Sequence, residues 1–293
     1  MKKVSIIILI AIIGINLSLA EKTAEYIFVD KDGNDVNIYT LLKAAANNDV
    51  IFFGEKHGNS IAHRYEFELL KFLYKTDKSI AIGMEMFEVD VQAQLDKYLA
   101  GEVSSEFFLS NSRPWDNYET DYSPIIEFAR ENGLHVIAAN IPRRLASMVA
   151  KGGIESWESL PDEDKAFLPR EYKFLDDDYK EYFFATMQDN PMMGRMRTKI
   201  GMDNLYYAQC VKDEKMAESI ADFFKENPDH KMIVYCGAFH SDYRLGIIQK
   251  LLLRSPKLKI MTISTVQVPE DDPLDSPKLK PDYEKADFIL FTR

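Results

Sequence analysis

Two similar junctions, far apart in the chain, place the strongest constraint on how this sequence folds. The apolar run 50–53 is followed by Gly-x-x-His ending at His57, and the run 231–236 by Gly-x-x-His ending at His240. Short apolar runs predict strands buried on both faces, as in a parallel sheet covered by helices. The glycine after each run predicts the end of the strand. Because the carboxyl ends of parallel strands share one edge of a sheet, we expect both histidines to face one crevice.

The rest of the chain alternates between strand-like and helix-like segments, which is typical of an α/β fold. Asn59 and Ser60 predict the start of a helix that follows the first junction, and Ser241 and Asp242 predict a second helix start after the other. Further strands are predicted at 79–84, 135–139 and 259–266, and a long helix at 203–225. The fold class is therefore α/β, with a mainly parallel sheet flanked by helices.

Both ends of the chain carry weaker strand signals. Asp32-Gly33 lies between two short strand-like segments, which predicts a small N-terminal β-hairpin. Residues 288–291 are apolar and predict a strand at the edge of the sheet, after a proline-rich irregular tail that includes Pro277 and Pro281. The hairpin and this strand complete the predicted sheet.

The segment from about 152 to 200 differs from the rest because it shows no strand pattern. It predicts a helical insert rich in aromatic and thioether side chains: Tyr179, Tyr182, Phe183, Phe184, Met187, Met192, Met193 and Met196. Ordinary core packing is the simpler interpretation of these side chains. The alternative is a lid whose soft apolar surface covers a large flat ligand.

The first twenty residues have the pattern of a secretory signal peptide. Two lysines precede an apolar run, and Ser-Leu-Ala20 offers small residues for cleavage. A retained membrane anchor is the alternative, although the run is shorter than a spanning helix needs. We expect one domain from 21 to 293 that is exported to the periplasm or secreted, with no lipid tether since no cysteine lies near Ala20. Cys210 and Cys236 could pair in such a compartment.

Charge and missing motifs exclude several classes of function. The formal net charge is −11, which argues against nucleic acid as a partner. The sequence contains no phosphate-binding Gly-x-x-x-x-Gly-Lys-Ser/Thr and no Gly-x-Ser-x-Gly elbow of serine hydrolases. It also lacks Cys-x-x-Cys-His, so that any haem would be held non-covalently.

Polar residues gather where the predicted strands end, and these are the candidate site residues: Glu55, His57, Glu85, Asn140, Arg143 and His240. Two histidines and two carboxylates, Glu55, His57, Glu85 and His240, suit a divalent transition metal or a general acid and base pair. The plainer alternative is that the two glutamates pair with Arg143 or a histidine and tie loops together. His63 is a weaker candidate, and His135 and His230 are expected to be structural or exposed.

Five ordered motifs together resemble one known family. They are Gly54-Glu-x-His57, Met84-Glu-Met-Phe87, Trp115 with Asp121-Tyr-x-Pro124, Ala139-Asn-x-Pro-Arg143 and Gly237-x-x-His240. The set is similar to that of the ChaN-type haem-binding uptake proteins, over roughly residues 49 to 263. That family belongs to a wider group that includes the Tiki metalloproteases and the erythromycin esterases, whose members share an α/β core.

The resemblance implies an exported protein that binds haem during iron uptake, with envelope or outer-membrane uptake components as partners and a homodimer as one expected assembly. His57 and His240 are the motif-based candidates for the iron ligand, with Tyr122 and tyrosines of the insert as alternatives. Arg143, Arg144 or helix amino termini are expected to meet the propionates, and Asn140 belongs to the same motif.

The wider group implies a rival function. In a Tiki-like or esterase-like enzyme, Glu55, His57, Glu85 and His240 would hold a divalent metal or activate water for hydrolysis. A cell-envelope interaction protein that kept the fold and lost the site is a third possibility, against which the complete polar set argues. We expect a binding protein rather than a hydrolase, and the residues alone leave the question of enzyme activity open.

Overall fold

The structure, a computed structural model, describes residues 25–188, 201–274 and 282–293. In these ranges eight strands form one sheet: β1 Tyr26–Asp30, β2 Asp35–Val36, β3 Val50–Glu55, β4 Ile80–Glu88, β5 Val136–Asn140, β6 Lys231–Gly237, β7 Ile260–Gln267 and β8 Phe288–Thr292. Their order across the sheet is β2-β1-β8-β7-β3-β6-β4-β5. The pairs on either side of β1 are antiparallel, and all the others are parallel.

Helices cover the sheet and connect its strands. They are α1 Ile38–Ala46, α2 Ser60–Thr76, α3 Gln92–Leu99, α4 Ser105–Ser112, α5 Ser123–Asn132, α6 Arg143–Gly152, α7 Asp162–Lys165, α8 Asp178–Gln188, α9 Met202–Glu226 and α10 Ile247–Arg254. Short 3-10 turns lie at Val89–Val91, Ile154–Trp157, Ala238–His240, Asp242–Arg244 and Tyr283–Lys285, and a π-helical turn at Tyr118–Tyr122. Within the described ranges, no helix combines the length and the apolar character that a membrane crossing requires.

The predicted α/β class, the mainly parallel sheet and the N-terminal hairpin are confirmed. In the hairpin, β1 pairs with β2 across a turn in which Gly33 has a φ of 81°, a conformation that glycine adopts without steric cost. The helix start predicted at Asn59 is also present, since the Asn59 side chain accepts a hydrogen bond from the backbone N–H of Ala62.

The core explains why the central strands read as continuous apolar runs. In β3, Ile51 and Phe53 pack into the cluster on one face of the sheet, while Val50 and Phe52 pack into the cluster on the other. None of the four is exposed to solvent. Burying a side chain of this size stabilises the fold by about 1.5–3 kcal/mol relative to leaving it exposed. Helices on both faces therefore hold β3 and its neighbours rigidly, and the loops at their carboxyl ends start from fixed positions.

Predictions about the ends of strands were wrong in two places. Gly54 does not end β3, which continues through Glu55, and β4 extends to Glu88, so that Glu85 lies inside a strand. The strand at 288–291 is present but is not at the edge of the sheet, because β1 pairs with β8 on its outer side.

The helix start predicted at Ser241 and Asp242 was also wrong. Helix α10 begins only at Ile247, with Gly246 before it. Asp242 is instead a buried acceptor of hydrogen bonds from the hydroxyls of Ser264 and Tyr182. Its side chain ties the loop after β6 to strand β7, on the other side of β3, and to the insert.

The described part of the insert, through residue 188, contains α7, α8 and a 3-10 turn and no strand, as predicted, but residues 166–177 are irregular. Tyr179 and Phe183 are buried, and the ring of Tyr182 stacks on Phe239 at 4.7 Å between centroids. These contacts favour the core-packing interpretation for the described aromatic residues. Met192, Met193 and Met196, the predicted signal peptide 1–20, and Pro277 with Pro281 lie outside the described residues.

The two cysteines do not form the disulfide that the sequence allowed. Cys210 and Cys236 are both buried free thiols, and they pack in different hydrophobic clusters. Both behave as small core residues.

Candidate functional site

The two Gly-x-x-His junctions are neighbours, as the sequence predicted. Strands β3 and β6 pair in parallel, with Gly54 opposite Cys236 and Glu55 opposite Gly237. Each glycine makes room for the other junction. A Cβ on Gly54 would lie 2.8 Å from Cα of Ala238, and a Cβ on Gly237 would lie 2.9 Å from Nε2 of His57. At both positions the reason for glycine is close approach rather than an unusual backbone angle, and the requirement is stricter at Gly54, where the contact is with backbone.

His57 stands at the mouth of the crevice, where its ring is fixed from one side. Its Nδ1 lies 2.5 Å from Oε1 of Glu55, and the same oxygen accepts a hydrogen bond of 2.7 Å from the hydroxyl of Tyr122. The edge of Trp115 meets the ring with 5.1 Å between centroids. The side chain of His57 is 49 % exposed, whereas that of Glu55 is wholly buried. Glu55 therefore orients a histidine whose Nε2 stays free of hydrogen bonds to the described residues.

The environment of His57 makes its imidazole more basic. Partial burial lowers the pKa of His57, but the hydrogen bond to Glu55 and the negative charges of Glu85 and Glu55 outweigh that effect and raise the pKa above its ordinary value. The pKa of Tyr122 shifts in the same direction. Burial, the Glu55 charge and the hydrogen bond to Glu55 raise the pKa of Tyr122 far above its ordinary value. Tyr122 therefore stays a neutral hydrogen-bond donor.

Glu85 and His240 form a second, fully buried pair on the floor of the crevice. Nε2 of His240 lies 3.2 Å from Oε1 of Glu85, and its Nδ1 lies 2.5 Å from Oδ1 of Asp213 on α9. The other oxygen of Glu85 accepts a 2.7 Å hydrogen bond from the backbone N–H of Gly237. Both ring nitrogens of His240 thus face carboxylates.

Mutual charge stabilises both members of this pair. Burial opposes the charged form of each, yet the carboxylates of Glu85 and Asp213 raise the pKa of His240 to about 10. In return, the His240 cation, assisted by His57 and by the N–H of Gly237, lowers the pKa of Glu85 to about 2 in spite of burial. Both shifts favour a protonated His240 held between two carboxylates.

Asn140 and Arg143 continue the crevice along its rim. Asn140 donates a hydrogen bond of 3.1 Å to the backbone oxygen of Glu85, and its own side-chain oxygen is buried without a hydrogen-bond partner among the described residues. The backbone N–H of Arg143 donates to Glu88, while its side chain is exposed and makes no ion pair within the described chain. The cleft at this rim has a volume of about 760 Å³, and its lining includes Trp115, Arg113, Arg143 and Arg144.

A second polar cluster lies behind Glu55, away from the cleft. His63 and Glu66, both on α2, are buried, and Nδ1 of His63 lies 2.9 Å from Oε2 of Glu66 and 3.4 Å from Oε2 of Glu55. Nε2 of His63 lies 3.2 Å from Oδ2 of Asp121. Burial and the neighbouring Glu55 charge raise the pKa of Glu66 well above its ordinary value. Glu55 therefore contacts both His57 in the crevice and the buried charged cluster around His63.

The predicted residues thus separate into two pairs along one crevice, Glu55 with His57 and Glu85 with His240. Sequence reasoning missed two partners, although signals for both were present. Asp213 occupies an apolar stripe of α9, with Tyr206, Cys210 and Ala217 buried on the same face, and a charged residue in such a stripe indicates a buried partner. Glu66 follows His63 at the three-residue spacing that brings two side chains together on a helix.

A larger cavity, of about 900 Å³, lies at the opposite edge of the sheet. Its lining includes Asp49, which precedes β3, together with Arg170, Glu218 and Leu253. Neither cavity is lined by the two polar pairs themselves, but the 760 Å³ cleft is lined by Trp115, whose ring lies against that of His57. The chemistry that ligands or substrates would meet is therefore at the carboxyl edge, where ligand sites of parallel sheets ordinarily lie.

The fold and the site define an α/β protein with paired Gly-x-x-His loops at the carboxyl edge of its sheet. The model of the family described as haem-binding uptake, Tiki superfamily, ChaN matches residues 41–251. The chain belongs to this family, as its motifs predicted.

Several known proteins are similar to this chain in structure or in sequence. The structure of ChaN of Campylobacter jejuni with cofacial haem is 15% identical, covers 92% of this chain and 97% of that chain, and has a TM-score of 0.69. The type III effector HopBA1 is 14% identical, with 87% and 93% covered and a TM-score of 0.50. At these identities, both likenesses establish the fold.

Protein RETICULATA-RELATED 5, chloroplastic, of Arabidopsis thaliana is 24% identical over 187 residues, or 61% of this chain. The chain spans only 25% of the length of that relative.

Proposed function

We propose that this protein binds haem non-covalently at the cleft, with His57 as the iron ligand. The observation that carries the proposal is the state of His57: half-exposed, held through Nδ1 by Glu55, and with Nε2 free of hydrogen bonds to the described residues. A histidine oriented at one nitrogen by a carboxylate is the ordinary form of a metal-ligating imidazole. Membership of a family described by haem-binding uptake supports the same function.

The residues around His57 suit haem in shape and charge. Gly237 has no side chain that would crowd Nε2 of His57. Trp115 packs edge-to-face with the imidazole, and the exposed guanidinium of Arg143 is of the kind that binds a propionate. When bound, haem would supply its iron to an imidazole, as in many haem proteins. His240 and Tyr122, the other sequence candidates for the ligand, are buried and engaged by carboxylates, which favours His57.

Haemin titration of the purified chain tests this proposal. We expect saturable binding with a shifted Soret band in the wild type and in Tyr122→Phe, and loss of the shift in His57→Ala. Arg143→Ala should weaken binding while preserving the spectrum, because it removes a propionate partner and leaves the iron ligand. Weak binding that is equal in all four proteins would refute haem as the ligand.

Haem uptake would also require export, which the pattern of residues 1–20 supports. We propose a periplasmic or secreted protein that meets envelope iron-uptake components. Fractionation of cells and N-terminal sequencing should find a mature chain beginning at Glu21, and a full-length cytoplasmic chain would refute export.

A homodimer with two haems face to face is the assembly that the cofacial haem of the Campylobacter jejuni protein suggests. Light scattering with and without haemin tests whether the mass doubles.

Hydrolysis is the second candidate, since the Glu55 and His57 pair also has the arrangement of an oriented general base. A hydrolase of this kind would turn over an ester or peptide substrate and lose that activity in His57→Ala. Arg143→Ala, which removes no group of the pair, distinguishes the two functions because it should weaken haemin binding and leave such turnover intact.

A further inference from the structure

The cluster behind Glu55 holds more negative charge than its protein neighbours compensate. Glu55, Glu66 and Asp121 surround the single imidazole of His63, and Oε1 of Glu55 also contacts His57. In the described chain, no lysine or arginine forms an ion pair with any of these three carboxylates. Buried carboxylates are costly unless a cation or a proton balances them. The cluster therefore requires either added protons or an added cation.

The hydrogen bonding inside the cluster is also incomplete. Oε2 of Glu55 and Oε1 of Glu66 are buried beside His63 and have no hydrogen-bond partner among the described residues. The exposed fractions of these residues are 2% for Glu55, 0% for Glu66 and 4% for His63. Buried polar atoms ordinarily have partners. Two unsatisfied oxygens on adjoining side chains indicate a shared missing partner.

The spacing of the donor atoms matches a coordination shell. One ligand atom from each of Glu55, His63 and Glu66 lies within 4.8 Å of the others, and Nδ1 of His63 is 2.9 Å from one carboxylate and 3.4 Å from the other. Two ligands about 2.1 Å from one ion lie roughly 3.0–3.4 Å apart at octahedral and tetrahedral angles. The side chains therefore need little movement to close on an ion.

We infer that Glu55, His63 and Glu66 form a binding site for a divalent first-row transition ion, separate from the cleft at which His57 faces solvent. Imidazole and carboxylate together suit ions from Mn²⁺ to Zn²⁺. A doubly charged cation would balance the carboxylates and satisfy the unpaired oxygens at the same time. The site does not depend on haem binding, because the free Nε2 of His57 and the donor atoms of this cluster lie on opposite sides of Glu55.

Asp121 is the positioning residue of this site. Its Oδ2 lies 3.2 Å from Nε2 of His63, and it accepts hydrogen bonds from Asn117 and Thr120 that hold it in place. A carboxylate beside the second nitrogen is what a metal-ligating histidine ordinarily has. Asp121 is also the most exposed member of the cluster, at 12% of its side chain, and so marks the route by which an ion would enter.

Metal binding by the full chain tests this inference. The protein is stripped with a chelator, and equilibrium dialysis against Zn²⁺ or Mn²⁺ alone measures stoichiometry and affinity. We expect one equivalent bound by the wild type, an affinity at least tenfold weaker in Glu66→Gln, and an affinity roughly 10–100-fold weaker in Asp121→Asn. Absorption of the Co²⁺ form should show the bands of nitrogen and oxygen ligation, and these should be absent from Glu66→Gln.

A matched control separates this site from adventitious binding at the surface. His135 and His230 lie 5.7 Å apart between ring centroids near the far end of the sheet, and His135→Ala should bind the ion as the wild type does. Circular dichroism shows whether each variant is folded. If Glu66→Gln does not fold, Asp121→Asn takes its place as the test variant. Absence of stoichiometric binding in the wild type would overturn the inference, since protons alone then balance the cluster. Equal affinity in the wild type and Asp121→Asn, or loss in His135→Ala, would overturn it as well.

Discussion

Nε2 of His240 lies 3.2 Å from Oε1 of Glu85, inside the protein and at the point where two parallel strands end. With Asp213 on the other nitrogen of the ring, His240 is held between two buried carboxylates. The pair therefore acts as the fixed floor of the crevice, while His57 forms its accessible wall. The two histidines have different roles because one is buried and the other is half-exposed. Their Gly-x-x-His motifs are the same and do not distinguish them.

Glu85→Gln should destabilise the protein strongly. The change keeps the shape of the side chain and removes the charge that faces His240, which leaves a buried cation with Asp213 alone. Breaking a buried pair in this way costs about 3–5 kcal/mol, and urea denaturation measures the loss. Glu181→Gln on the exposed face of α8 is the matched control, with an expected change within about 0.5 kcal/mol. A loss for Glu85→Gln as small as that of the control would show that the pair contributes little.

The same pair gives the protein a defined pH dependence. The pKa of His240 is raised from 6.5 to about 10, so its contribution to stability is complete below pH 6.5 and is lost as the pH rises through about 10. The pKa of Glu85 is lowered from 4.5 to about 2, so its contribution is present above pH 4.5 and is lost as the pH falls through about 2. The pair should contribute most between pH 4.5 and 6.5.

This pH dependence is measured as a difference between two proteins. The free energy of unfolding of the wild type is compared with that of the double variant Glu85→Gln/His240→Gln at pH values from 5 to 10. The advantage of the wild type should shrink steadily above pH 6.5. A constant difference across that range would mean that His240 is not protonated in the folded protein.

The two junction glycines should respond differently to the same substitution. Gly54→Ala brings a Cβ within 2.8 Å of a backbone atom of Ala238, and overpacking of this kind costs about 1–3 kcal/mol of stability. Gly237→Ala brings a Cβ within 2.9 Å of the His57 ring, which can turn toward solvent. We expect thermal unfolding to report the first change and haemin affinity to report the second. The reverse pattern would contradict the arrangement of the crevice.

The thiols should react only after unfolding. Burial raises the pKa of Cys210 to about 12 and raises that of Cys236 well above its ordinary value, and neither is paired. A thiol reagent should therefore label the native protein slowly and label both cysteines in denaturant. Rapid labelling of the native chain would contradict burial of the thiols. Failure of the reagent to label the denatured chain unless a reductant is added would contradict free thiols.

Much of this arrangement could be predicted from local sequence. The apolar runs at β3 and β6 identified buried parallel strands, and the rule that such strands share a carboxyl edge brought His57 and His240 to one crevice. The helix cap at Asn59 could also be predicted, because capping depends on residues only three positions apart. These features depend on local pattern or on a general property of parallel sheets.

What failed depended on contacts between distant segments. No residue near Phe288 indicates that β1 will pair on the outer side of β8. The position of β8 inside the sheet was therefore not predicted. Gly54 was interpreted as a strand break, whereas its role is to admit Ala238, a residue far along the chain. The roles of the two histidines differ because Asp213, on a distant helix, lies against His240 and has no counterpart beside the free Nε2 of His57. Burial and partners of this kind are decided by packing.

Imidazole rescue tests the central claim, haem ligation by His57, most directly. Haemin is titrated into the wild type, into His57→Gly and into His57→Gly with added imidazole, with His135→Ala as the histidine control. The account predicts a shifted Soret band in the wild type and in the control, its loss in His57→Gly, and its return when imidazole fills the vacated space. An unchanged Soret band in His57→Gly without imidazole would contradict ligation by this residue.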